Sequence, residues 1–262
     1  MKRIFIIFTF LAVLVGFVSF FVYVYRSSDK GPAEPAKHEV KVYEGDFVQI
    51  PGGTYTIGGI DLYGTEPRKD PWPKITLSSF YMAILPVLQQ EYEEIMGNNP
   101  SYTKNKDAPV DQVSWLEAVE YCDRLSRRDG LTPAYTINGE NVTWNRSANG
   151  YRLPTEAEWE YVCRAPTAVF SGEKNQYGEL EHPWGLFEMP GDTYEWCWDW
   201  YGEYLSGTFT DPDGAASGIH RVIRGGISWH GSRLERATMR HHDFPNAAGT
   251  QLFGFRLVRS SL

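Results

Sequence analysis

A chain of 262 residues with 33 acidic against 25 basic side chains carries a formal charge of −8, and no basic stretch tracks a phosphate backbone, which argues against nucleic acid as a partner. Aromatic residues make up 15%, with 9 Trp and 16 Tyr; that suits a loop-rich domain filled by large rings, or an exposed aromatic surface for a ligand. The three cysteines, Cys122, Cys163 and Cys197, are an odd count that rules out a complete disulfide framework but leaves one bridge open, and no C-x-x-C pair points to zinc or thiol redox.

Lys2 and Arg3 precede an uncharged apolar run from Ile4 to Tyr25, closed by Arg26. As a helix rising 1.5 Å per residue it reaches roughly 33 Å, enough to cross a hydrocarbon core of about 30 Å. An uncleaved anchor, a cleaved signal peptide and a buried helix compete. The run exceeds a signal's apolar region, and Phe20-Phe21-Val22-Tyr23 offers no small-residue cleavage pattern, so the anchor leads. The basic flank predicts a cytoplasmic N-terminus, with everything after Arg26 outside the cytoplasm, periplasmic or at the cell surface. Ser27 to Gly45 is polar, with Pro32 and Pro35, and reads as a flexible tether. The expected organisation is an anchor or signal at 1–26, a linker at 27–45 and a domain at 46–262.

The domain opens with a strand at Phe47–Ile50 and a turn through Gly52-Gly53; Lys74–Tyr81 reads as another strand. A helix at Leu88–Met96 lacks a polar N-cap, since Leu88 holds that position. The helix Trp115–Arg128 is clearest. Ser114 and Glu117 form a capping box, and Trp115, Ala118, Val119, Cys122 and Leu125 make one apolar stripe, which predicts a buried Cys122 thiol. Gly130 ends it. Tyr135–Ile137 and Val142–Trp144 flank an Asn138-Gly139 hairpin signal. A second capping box, Thr155 with Glu158, starts a helix to about Arg164. Strand-like pieces follow at Arg221–Arg224 and Phe253–Val258. Short elements separated by long loops predict an α+β domain.

Several of these segments occur in the order of one family. Gly150-Tyr-Arg-Leu-Pro-Thr-Glu-Ala-Glu-Trp-Glu-Tyr161 is the strongest match. Phe47–Gly53, Pro109–Trp115, Gly185–Met189, Glu195-Trp-Cys-Trp-Asp-Trp200, Arg224-Gly-Gly-Ile-Ser-Trp229 and Gly254–Leu257 accompany it. The chain resembles the formylglycine-generating enzyme (sulfatase-modifying factor) family from about Phe47 to Arg259. The resemblance implies a variant of the C-type-lectin-like fold with little regular secondary structure, here preceded by one transmembrane helix.

That family's enzymes oxidise a sulfatase cysteine with copper held by two cysteines between the Arg-Gly-Gly and final Gly-Phe-Arg motifs. Here Ile227 to Phe253 contains no cysteine, and Cu(I) requires soft thiolate donors. No copper is expected, and the reading leans away from an enzyme. The resemblance also implies a structural calcium loop at Gly191–Glu195, with Asp192 and Glu195 as oxygen ligands; a turn with a hydrogen-bonded Glu is the plainer alternative. His230, His241 and His242 fall in the C-terminal region, but adjacent histidines on a strand point to opposite faces, which disfavours a shared metal.

The leading expectation is a membrane-tethered binding, display or envelope-complex domain, its ligand a protein, small molecule or glycan. Trp229, His230, Arg233, Arg236, Arg240, His241, His242 and Phe244 would line the ligand face, mixing rings with cationic groups as binding surfaces do. A divergent metal-dependent oxidoreductase is the alternative.

Overall fold

The computed structural model describes residues 47–58, 72–165, 182–226, 237–248 and 252–261. All of the described residues belong to one compact unit, 44–262. The apolar run Ile4–Tyr25 lies outside the described residues, among which no helix is long and apolar enough to cross a membrane.

Within 44–262, helices and short strands mix. Strands β1 (Phe47–Ile50), β4 (Phe80–Ala83) and β12 (Val258–Ser260) form one sheet with β4 at its centre, and β2 (Gly53–Thr56), β3 (Lys74–Leu77) and β8 (Thr208–Thr210) a second with β3 at its centre. The stretch expected as one strand, Lys74–Tyr81, is therefore two: the chain leaves one sheet at Leu77 and enters another at Phe80. Phe253–Val258 divides in the same way, into β11 (Phe253–Gly254) and β12. The hairpin β5 (Tyr135–Asn138) and β6 (Asn141–Trp144) turns through Gly139 at φ 60°, the left-handed conformation that glycine tolerates.

The sheet that builds the candidate site runs β10 (His241–Asp243), β9 (Arg221–Gly225), β7 (Tyr194–Trp200), β11. Strand β7 evades the alternation rule because it is buried on both faces from Glu195 to Asp199. The Arg224-Gly225-Gly226 motif follows from backbone geometry. Both glycines have φ of 82°, and a Cβ on Gly226 would fall 2.2 Å from the Tyr194 ring.

Helices α1 (Gln89–Met96), α2 (Trp115–Arg128) and α3 (Glu156–Arg164) agree with the sequence periodicity. Ser114 Oγ accepts from the Glu117 amide, and Thr155 Oγ1 accepts from the Glu158 amide. At α1, where Leu88 offers no side-chain acceptor, the Ala108 and Lys106 carbonyls accept the Gln89 and Gln90 amides, and the Glu91 carboxylate accepts the Leu88 amide at 2.8 Å. The core joins α3 to the sheets through Trp159, Tyr161, Val162, Ile50, Met82, Cys197 and Val222.

Candidate functional site

Four arginines are buried among the described residues: Arg152, Arg221, Arg224 and Arg256. A buried charge demands a partner, and three of these have one. Arg152 holds Glu158 through two bonds of 2.7 Å. Arg224, on β9, reaches Glu156 at 2.8 Å and Glu160 at 2.7 Å, tying the sheet to α3. Arg256 pairs with Glu195 at 3.0 Å and also donates to the carbonyls of Ala83, Ile84, Phe187 and Glu188. Arg221 differs. Its guanidinium lies 3.7 Å from the Trp115 ring centroid and 3.4 Å from that of Trp200, and it donates to the Trp198 carbonyl at 2.6 Å. Burial pulls its pKa down to about 9.

This network assigns tasks to residues expected at a site. Glu195 accepts from Arg256 and from the Trp159 indole at 2.8 Å, so both oxygens serve an internal pair rather than an open ion loop. Asp192 is exposed at the preceding turn. Arg240 binds Glu156 through Nε at 2.6 Å and Nη2 at 2.7 Å and lies over the Tyr201 and Tyr204 rings. It is an architectural cation with one edge on a cleft. Burial pushes the Glu156 carboxyl upward, but Arg240 and Arg224 outweigh that and hold it below the usual range.

What remains outward is a ledge on β10. His241 and His242 point to opposite sides, as neighbouring strand residues must. His241 packs edge-on to Tyr194 with centroids 5.0 Å apart. His242 lies 4.1 Å from the Tyr201 ring and 4.6 Å from His220, and His220 lies 4.4 Å from Phe244. Phe244 is 52% exposed and Ile219, beside His220, is 70% exposed. Burial and the neighbouring His220 lower the His242 pKa, which favours neutral imidazole. Trp229, His230, Arg233 and Arg236 lie outside the described residues. Sequence reasoning missed Tyr201 and His220, which precede β10 by tens of residues and meet it only through the β9–β10 pairing.

The donor set does not fit copper. The three thiols are buried, and none belongs to the segment from Ile227 to Phe253. Burial raises the pKa of Cys197 and Cys122, which opposes the thiolate a metal needs. Among the described residues no group of three His, Cys, Asp or Glu side chains is placed to hold an ion.

Order of motifs, sheet arrangement and comparisons with known proteins agree on the class. The chain belongs to the family of sulfatase-modifying factor enzyme 1-like domains, which matches residues 32–183 and 171–261. It is similar to the chaperone protein LppX of Paenibacillus barcinonensis, 33% identical over 48% of this chain and 64% of that protein. It is also similar to the serine/threonine-protein kinase pkn1 of Chlamydia pneumoniae, 30% identical over 82% of this chain and 38% of that protein. The chain thus spans between about two-fifths and two-thirds of these relatives' length. Among solved structures, Treponema denticola variable protein 1 superposes with a TM-score of 0.65 at 28% identity, covering 82% of this chain and 94% of that one.

Proposed function

We propose that this chain is a membrane-tethered, extracytoplasmic binding domain whose ligand face is the His220–His242–Phe244 ledge, and that it does not generate formylglycine. One observation carries the reading. The cations Arg224 and Arg240 are committed to Glu156, while Phe244 and Ile219 stay exposed beside polar imidazoles, a composition suited to recognition. Relatives named as a kinase, a chaperone and a variable protein support a scaffold put to several uses. The apolar run Ile4–Tyr25 behind Lys2 and Arg3 supports tethering. A structural calcium at the 191–195 turn would use Asp192 and backbone carbonyls, since Glu195 is engaged by Arg256.

Screening the full chain against glycan and peptide arrays tests the binding face. The triple change His220→Ala, His242→Ala, Phe244→Ala should abolish the captured ligands while leaving Tm within a few degrees. Ligands retained unchanged by the triple variant would refute this face. Protease protection in intact cells tests the topology, and the Tm difference between calcium and EGTA tests the ion.

A further inference from the structure

We propose that the cleft beside Asp199, apart from the ledge, is a binding site for a small organic cation, an ammonium group on an apolar body. The cleft has a volume of about 310 Å³ and lies between the start of α3, the end of β7 and the segment from Gly202 to Ala216 that contains β8. Ile57, Ile75, Leu205, Phe209 and Pro212 give it apolar walls.

Its polar end is Asp199, only 3% exposed. Asp199 Oδ2 accepts the Glu156 amide at 2.7 Å. Among the described residues Oδ1 receives no hydrogen bond. Gly214 passes beside it at φ 88°, and a Cβ there would stand 2.9 Å from Oδ1. Glycine therefore leaves the acid uncrowded where a larger residue would press on it.

The surrounding charges make Asp199 an exception. Glu156 is paired with Arg240 and Arg224, Glu160 with Arg224 and Arg164, and Glu158 with Arg152. Among the described residues no cation makes an ion pair with Asp199. Arg240 acts on it only through space, as does Arg221 from β9. Glu158 on α3 and the Cys197 thiol on β7 complete the titratable groups that feel its charge. Burial and the charge on Glu156 push the Asp199 carboxyl well above the usual carboxylate range, which favours its neutral form.

Among the described residues that line the cleft Arg240 is the sole cation, and Glu156 neutralises it; Glu203 adds a further anionic group there. An ammonium seated at Oδ1 supplies the missing positive charge. The carboxylic acid then gives its proton to solvent and becomes the carboxylate of an ion pair. A neutral ligand leaves that proton in place.

Calorimetry on the full chain with phenethylammonium and its neutral match phenethyl alcohol separates these cases, run from pH 5 to 8 in buffers of different ionisation enthalpy. The ammonium should bind about tenfold tighter or better, with proton release at the pH values where free Asp199 is protonated. Asp199→Asn should erase both the preference and the release. Its unchanged circular dichroism would show that the fold survives. Ala216→Trp, filling the cleft from an exposed position, should weaken both probes, whereas Phe244→Ala on the ledge should alter neither. Equal binding of the two probes, ammonium binding without proton release at every pH, or no binding of either at millimolar concentration would overturn the proposal. None of these results bears on the ledge.

Discussion

At the residue scale, the defining feature is a set of buried carboxyl groups with opposite fates. Glu195 and Arg256 are both almost fully buried and joined at 3.0 Å. Removing one member strands the other charge, so Glu195→Ala should cost about 3–5 kcal/mol in urea denaturation. An effect below about 1 kcal/mol would show that water reaches the arginine in its place. Glu156 and Asp199 give a pH signature. The folded-state pKa of Glu156 is lowered, so its stabilisation is present above the unfolded value and lost as pH falls through the folded one. Asp199 is raised, so its contribution is complete below the unfolded pKa and lost as pH climbs through the folded value. Asp199→Asn cannot lose a proton. Relative to the parent chain it should gain stability as pH rises from about 4 toward 8. Tm measured across that range checks this; a constant difference would show that Asp199 is ionised throughout.

Among the elements, the helices were the most legible part of the sequence. Capping chemistry is local, so Ser114 with Glu117 and Thr155 with Glu158 marked the starts of α2 and α3 without tertiary information. Ser114→Ala should cost about 1 kcal/mol, read from thermal or urea unfolding, because the Glu117 amide loses its acceptor. The sheets were harder to read. Strand β7 is buried on both faces, so it has no period-two signal, and β10 is a three-residue strand defined only by its register with β9. The proposed ledge inherits that difficulty. His242 and Phe244 are candidates the sequence offers, whereas Tyr201 and His220 reach His242 from tens of residues away, through contacts that no local pattern encodes. Arg240 and Glu195 looked like ligand groups because sequence shows a charge without its partner. Trp159 shows how elements are locked together. It is fully buried on α3 and donates to Glu195 on β7. Trp159→Ala combines a cavity with a lost hydrogen bond and should cost about 3–5 kcal/mol. Retention of parent-like stability would place the indole outside the core.

For the molecule as a whole, family membership and chemistry separate. The scaffold is that of sulfatase-modifying factor enzymes, yet the three thiols sit in the packed interior, on α2, α3 and β7, rather than in the segment before the last strands. Burial keeps Cys197 and Cys122 protonated, and a protonated thiol is a poor ligand for Cu(I). Relocating the Cys197 thiolate from the core to the surface would mean unfolding β7, which the buried Arg256–Glu195 pair opposes. The purified chain, incubated with Cu(I), oxygen and a cysteine-bearing sulfatase peptide, should therefore yield no aldehyde by mass spectrometry. Extensive dialysis should leave no stoichiometric copper. Aldehyde formation above a no-protein control would mean that donors other than cysteine hold the metal on this scaffold, and the histidines of the C-terminal region would then be the first to change, one at a time, with copper content as the readout.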